Sequence, residues 1–183
     1  MNINLWPYIE LSRFLRTKKR KGNGNMFRHQ LETFAILLDY GYEDPVLLKA
    51  ALIHDLFEDG QKVGFSDFEN VITVDEDGKE VYDLVKELSI RVENNAEEPK
   101  DQFLERIMQV GSRRAKVLKL ADRLSNIISL PSANDKHFIK RYIEETNLHI
   151  LPYVTNLHIL PYADEIDKKI AEELKTSLMM LKV

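Results

Sequence analysis

The chain has 183 residues, of which 44% are hydrophobic and 31% charged, and its formal net charge is −4. This composition is typical of a folded globular protein, and the length predicts one domain covering residues 1–183. The acidic balance argues against broad nucleic-acid binding, and no apolar run approaches the roughly 20 residues that cross a membrane. Without cysteine, any metal must be held by nitrogen and oxygen ligands, and we expect a cytoplasmic location.

Apolar residues recur at helical spacing along most of the chain, and no segment shows a convincing strand pattern. We therefore predict an all-α protein. The predicted helices cover residues 5–18, 26–40, 44–59, a short segment after Ser66, 81–88, 101–110, 113–130 and 164–181. The residues expected to face the core on the first two helices are Leu5, Ile9, Phe14, Leu15, Phe27, Leu31, Phe34, Ala35 and Leu38.

A basic segment joins these two helices. No acidic residue lies between Ser12 and His29, whereas seven basic residues do. Such a run is usually a solvated helix end and loop, but it could also form a phosphate-binding edge.

The most informative segment covers residues 44–59. Asp44 is a good N-cap, and from Val46 to Ile53 the only charged residue is Lys49, which predicts a buried helix. Four polar residues follow: His54, Asp55, Glu58 and Asp59. Because an ionised carboxylate in a dry core is costly unless it is paired or bound to a cation, a divalent metal is our first hypothesis. On helical spacing, His54 and Glu58 would share one face.

Two other predicted helices carry polar residues that fit this hypothesis. His29, taken alone, is best explained as a histidine at the edge of the core. Asp122 lies among apolar residues, with Asn126 one turn later on the same side. Two imidazoles and two carboxylates form a ligand set that suits a divalent ion, and the set is His29, His54, Asp55 and Asp122.

The carboxyl-terminal part contains a direct repeat, in which residues 146–153 recur unchanged as residues 155–162. Two short copies are too few for a repeat architecture, so we interpret segment 146–162 as a local duplication within a helical extension. The duplication also explains the pair His149 and His158 without a second metal site. Proline in each copy is expected to interrupt the helix.

Taken together, these motifs resemble the HD-domain metal-dependent phosphohydrolases. Within that group, the sequence is most similar to the hydrolase domain of RelA/SpoT proteins and its free-standing metazoan homologues. The resemblance covers about residues 20–130 and implies an HD-type helical bundle. The resembling motifs are Arg20-Lys21, His29, residues 50–59 and residues 119–126.

The resemblance implies a (p)ppGpp 3′-pyrophosphohydrolase that uses water bound to one metal ion. The metal that the resemblance leads us to expect is Mn²⁺. It assigns Glu58 and Asp59 to the attacking water, and the nucleotide contacts to Arg20, Lys21 and Asn126. The loop at residues 22–28 departs from the family pattern, which leaves open a different substrate such as a nucleoside monophosphate. A non-catalytic nucleotide sensor is a third interpretation.

Overall fold

The computed structural model describes residues 3–21, 24–57, 65–155 and 165–181. These residues are mostly helical, which confirms the predicted all-α class. Two compact units are distinguished along the chain, the first comprising Met1–Arg20 and Gly24–Ser89, the second Lys21–Asn23 and Ile90–Val183. Among the described residues, no helix is both long enough and apolar enough to cross a membrane.

The described residues of the first unit form five α-helices. They are α1 (Trp6–Ser12), α2 (Met26–Asp39), α3 (Pro45–Ala51), α4 (Phe65–Val74) and α5 (Gly78–Glu87). A 3₁₀ helix continues from α1 over Arg13–Thr17. The predicted cap of α3 is confirmed, since the Asp44 side chain accepts hydrogen bonds from two backbone amides of its first turn. Gly41, with φ +80°, ends the turn after α2 as expected.

The helix α3 is buried along its whole length, as predicted, but it ends at Ala51. Residues 52–57 form successive turns instead. The backbone tightens here because the amide of Leu52 bonds to the carbonyl three residues back, at 3.2 Å, instead of four. The prediction that the helix continues through His54 is therefore wrong. Helical spacing no longer relates that residue to Glu58, which lies outside the described residues.

The predicted core face of α2 is also wrong. The buried residues of this helix are His29, Gln30, Thr33 and Leu37, and three of the four are polar. Leu38 is 48% exposed, and the same error affects Phe14 in the preceding 3₁₀ helix, which is 50% exposed. The reason is that His29 and Gln30 both contact a buried carboxylate, so polar partners decide the orientation of α2.

A buried ion cluster connects three parts of the first unit. Lys49 on α3 is 3% exposed, and its ammonium lies 2.8 Å from Asp75 and 2.7 Å from Asp77. The hydroxyl of Tyr8 on α1 donates to Oδ2 of Asp75 at 2.5 Å. No pattern used in the sequence analysis predicts this cluster. The two aspartates satisfy the charge that α3 buries.

In the second unit, the part of the chain that the structure describes forms two short strands and five α-helices. They are β1 (Val92–Glu93), β2 (Ala96–Glu97), α6 (Lys100–Val110), α7 (Arg113–Ser129), α8 (Lys136–His149), α9 (Leu151–Thr155) and α10 (Glu165–Met180). The helix α7 packs against α10, where the guanidinium of Arg113 forms an ion pair with Asp167 at 2.8 Å. Buried apolar residues from α6, α7 and α10 form much of the core of this unit.

The hairpin of β1 and β2 contradicts the prediction of no strands. Val92 pairs with Glu97 and Glu93 pairs with Ala96 in antiparallel register. Asn94 and Asn95 connect the strands with φ values of 51° and 63°. Two consecutive residues with positive φ match the tight turn that antiparallel strands favour, and asparagine tolerates that conformation better than most residues. The segment was therefore recognisable from its turn, although its strands are polar and exposed.

The first copy of the repeat spans the junction of α8 and α9. The helix α8 ends at His149, and Pro152 is the second residue of α9. The predicted interruption of the helix therefore lies just before this proline. The Nδ1 atom of His149 lies 3.0 Å from the carboxylate of Glu105. His158 lies outside the described residues.

Candidate metal centre

Two imidazoles in the first unit converge on one carboxylate oxygen. The Nε2 atom of His29 on α2 lies 3.5 Å from Oδ2 of Asp55, and the Nε2 atom of His54 lies 3.4 Å from the same oxygen. The two rings are 5.2 Å apart, edge to face. All three residues are buried. The structure therefore brings together three of the four ligands that the sequence predicts, within one unit.

The orientation of His54 is fixed by the main chain. Its Nδ1 atom lies 2.9 Å from the carbonyl oxygen of Ala51. A carbonyl can only accept a hydrogen bond, so Nδ1 carries the hydrogen in the neutral ring and Nε2 keeps its lone pair. Metal-binding histidines use the same arrangement, in which the second nitrogen donates to a carbonyl or carboxylate. The nitrogen that faces Asp55 is thus the one able to bind a cation.

Gln30 is a part of this site that sequence analysis missed. It is fully buried on α2, and its side-chain amide donates a hydrogen bond of 2.9 Å to Oδ2 of Asp55. This contact holds the carboxylate in place, as partners of metal-binding carboxylates commonly do. The sequence gives little signal for it, because a glutamine next to a histidine on an amphipathic helix is usually a surface residue.

Asp122 on α7 is buried and held at both oxygens. The ammonium of Lys119 lies 2.8 Å from Oδ2, and the side-chain amide of Asn126 donates to Oδ1 at 2.6 Å. The prediction that Asp122 and Asn126 lie on one side of this helix is confirmed. Lys119 is the first residue of the motif at residues 119–126, and the sequence predicts no function for it. The structure shows that it is buried too.

Among the described residues, His29, His54 and Asp122 each offer one atom that can bind a metal ion. All three of these residues are buried. Ligands about 2.1 Å from one ion lie roughly 3 to 3.5 Å apart, and the distances of 3.4 and 3.5 Å to Asp55 agree. Imidazole and carboxylate donors suit several divalent ions. These residues therefore fit a divalent metal without selecting which one.

The predicted catalytic residues and two of the predicted nucleotide-binding residues have still to be located. Glu58 and Asp59 lie outside the described residues. The guanidinium of Arg20 is 5% exposed and lies 3.1 Å from the carboxylate of Glu32. Lys21 is exposed, and its ammonium lies 5.0 Å from the ring centroid of Phe138. The roles of all these residues in catalysis and substrate binding remain predictions.

Comparison with known proteins identifies the fold. No family model and no curated protein sequence matches the chain. It is similar to a solved structure described as a metazoan orthologue of SpoT that hydrolyses ppGpp and plays a role in starvation responses. The alignment covers 96% of each chain, with a TM-score of 0.72 and 20% sequence identity. The two chains share one fold. The all-α fold expected from the motifs is therefore confirmed.

Proposed function

We propose that this protein is a metal-dependent phosphohydrolase that removes the 3′-pyrophosphate from (p)ppGpp-like guanosine nucleotides. The observation that carries the proposal is the convergence of the His29 and His54 Nε2 atoms on one oxygen of Asp55. The shared fold with a structure described as a ppGpp hydrolase supports this choice of substrate. The sequence motifs around these residues support the same reaction.

The proposed metal ligands are His29, His54, Asp55 and Asp122, and the proposed ion is Mn²⁺. Two carboxylates would balance the charge of a divalent ion, and two neutral imidazoles would complete a mixed nitrogen and oxygen set. When bound, such an ion polarises a phosphoryl oxygen and lowers the pKa of a water ligand. The carbonyl of Ala51 would fix the orientation of His54 towards the ion, and the amide of Gln30 would do the same for Asp55.

Glu58 and Asp59 are proposed to orient the attacking water and accept its proton, which is ordinary chemistry for a positioned carboxylate. The water oxygen would bond to the phosphorus attached to the 3′ oxygen of the nucleotide. The bond between that phosphorus and the 3′ oxygen would break, and the 3′ oxygen would take up a proton. The products would be pyrophosphate and GDP or GTP.

The nucleotide contacts are proposed to come from Arg20, Lys21 and Asn126. A bis-pyrophosphorylated nucleotide carries many negative charges, and cationic side chains bind phosphate oxygens with strong hydrogen bonds. Asn126 would lie beside the ribose or its phosphate, one turn from Asp122 on α7. We also propose a single-domain protein in the cytoplasm with a role in the stringent response. The cysteine-free composition agrees with the proposed cytoplasmic location.

A second candidate is a phosphohydrolase of the same type acting on another nucleotide, such as a nucleoside monophosphate. The ion pair between Arg20 and Glu32 favours it, because a guanidinium held by a carboxylate must exchange that partner before it can bind phosphate. The altered loop at residues 22–28 points the same way. A non-catalytic sensor has less support, because Glu58 and Asp59 are not needed merely to hold a metal.

The decisive experiment is a screen of nucleotides in the presence of Mn²⁺, with product analysis. The proposal expects ppGpp to yield GDP and pyrophosphate, and expects the Asp55→Asn variant to yield neither. Turnover of another nucleotide with ppGpp untouched would favour the second candidate. Tight binding of nucleotide without any turnover would favour the sensor.

A further inference from the structure

Two aromatic residues lie one turn apart on α8. The rings of Phe138 and Tyr142 are 5.8 Å apart, and both residues are partly exposed. The start of this helix is well fixed, because the backbone amide of Phe138 donates to the capping carboxylate of Asp135 at 3.0 Å. The helix therefore presents a short aromatic surface on a rigid backbone.

Cationic side chains contact this surface at both ends. At one end, the ammonium of Lys21 lies 5.0 Å from the centroid of the Phe138 ring. At the other, the guanidinium of Arg123 lies 4.2 Å from the centroid of Tyr142. The four residues, in the order Lys21, Phe138, Tyr142 and Arg123, are called the aromatic ladder below.

The inner end of the ladder is anchored to the helix that carries Asp122. Arg123 is the next residue on α7 and is almost fully buried. It also donates to the hydroxyl of Thr146 on α8 at 3.2 Å. Arg123 therefore joins α7 to α8, and the ladder leads from the neighbour of a proposed metal ligand outward to the exposed Lys21.

The outer end of the ladder has the two groups that a nucleotide requires. An aromatic face stacks on a base, and an ammonium binds a phosphate. The contact between Lys21 and Phe138 is weak when exposed to solvent, whereas a hydrogen bond from an ammonium to a phosphate is strong. A phosphate would thus draw Lys21 away from the ring and leave the face of Phe138 available to a base.

We propose that Phe138 is a further substrate-binding residue whose ring stacks on the purine base of the substrate, with Lys21 moving from that ring to a phosphate. The inference rests on the proposed function, since it assigns Lys21 to the nucleotide. It adds a residue on α8 to the substrate site, outside every motif that the sequence analysis used.

The test compares Phe138→Leu, which keeps an apolar side chain but removes the ring, with Phe138→Trp, which keeps a stacking surface. Loss of one stacked base should raise KM for ppGpp about 5- to 100-fold while kcat changes little. Phe138→Trp should retain KM near that of the original protein. Phe14→Leu, which alters a half-exposed ring in the first unit, is the matched control and should leave KM unchanged.

Two further readouts separate stacking from a structural effect. The melting temperature and the Mn²⁺ affinity should be the same in Phe138→Leu as in the original protein, and the loss of affinity should be larger for GDP than for inorganic pyrophosphate. Equal losses for both ligands, or a KM that does not change, would overturn the inference. If no nucleotide is hydrolysed, the proposed function is contradicted, but the stacking role of Phe138 is not. In that case, the affinities of the variants for GDP, measured by direct titration, still test the stacking role.

Discussion

The side-chain amide of Gln30 donates a hydrogen bond of 2.9 Å to Oδ2 of Asp55. This is the oxygen on which both imidazoles converge, so the amide fixes the atom around which the site is built. Gln30→Leu should weaken Mn²⁺ binding about 10- to 100-fold, a typical cost for losing such a partner. Isothermal titration with Mn²⁺ measures the effect. Gln109→Leu, which alters an exposed glutamine, is the control, and equal affinities in the two variants would remove Gln30 from the site.

Removal of the metal should lower the free energy of unfolding by an amount that grows with the logarithm of the metal affinity. At a free Mn²⁺ concentration about 100 times the Kd, binding to the folded state adds about 2.7 kcal/mol. A chelator should therefore lower the melting temperature of the original protein. Asp55→Ala should show neither the Mn²⁺-dependent rise in melting temperature nor any turnover. A variant that still gains stability from Mn²⁺ would show that Asp55 is not a ligand.

Glu58→Gln is expected to separate metal binding from catalysis. The amide cannot accept a proton from water, so turnover should fall by about 10² to 10⁴ while the Mn²⁺ affinity is retained. Steady-state kinetics and titration on the same preparation provide the two measurements. Glu43→Gln, on an exposed residue, controls for the loss of one charge. Full activity in Glu58→Gln would exclude the residue from the mechanism.

Arg20→Ala should chiefly raise KM for ppGpp, because it removes a cation assigned to the phosphates. The same change releases Glu32 from one of its two guanidinium partners, the other being Arg28 at 2.8 Å. Arg28→Ala therefore serves as the matched control for that release. If the two variants give the same KM as the original protein, a nucleotide other than ppGpp becomes the better candidate.

The cluster around Lys49 predicts a specific dependence of stability on pH. Burial opposes ionisation of Asp75, but hydrogen bonds from Lys49 and Tyr8 outweigh it, so the pKa of this carboxyl lies below its usual value of 3.8. Burial likewise opposes the charge on Lys49, yet the hydrogen bonds to Asp75 and Asp77 raise the pKa of its ammonium above 10.5. The contribution is therefore complete between about pH 4 and 10, and is lost as the pH falls through the lowered pKa of Asp75.

Lys49→Met tests this dependence. Leaving two carboxylates without their buried partner should cost about 3 to 5 kcal/mol at pH 7. The loss of stability between pH 4 and pH 2 should also become less steep, because Asp75 would no longer have a strongly lowered pKa. Urea unfolding at several pH values measures both effects. Lys79→Met, which breaks an exposed ion pair with Asp83, should change stability little, and a similar loss in both variants would contradict the prediction.

The sequence predicts which polar side chains are buried better than it predicts the backbone that holds them. A buried histidine or aspartate is recognisable because burying a polar side chain has a cost that a partner must offset. The end of α3 at Ala51 is not recognisable in this way, since residues 52–57 have no glycine or proline to mark it. Their turns combine local backbone bonds, such as that from the Leu52 amide to the Lys49 carbonyl, with contacts from Gln30 to Asp55 that periodicity does not report.

The prediction of which face of α2 is buried was wrong for a related reason. Hydrophobic periodicity assigns Ala35 and Leu38 to the core, but His29 and Gln30 must face Asp55, and the helix cannot satisfy both. The hairpin at Asn94 and Asn95 was missed because its strands are polar, although its turn residues carry the signal. In each case a specific polar contact or backbone conformation outweighs the average preference of the segment.

The hydrogen bond from His54 to the carbonyl of Ala51 has a consequence for how this site can vary. Every amino acid supplies that acceptor, so residue 51 can change its side chain without freeing the ring. The backbone between residues 51 and 54 sets the orientation of the imidazole. An insertion or deletion in this segment would therefore disorient the ring, although all the ligand residues would still be present in the sequence. Intact motifs alone would therefore not guarantee a working centre in a related sequence.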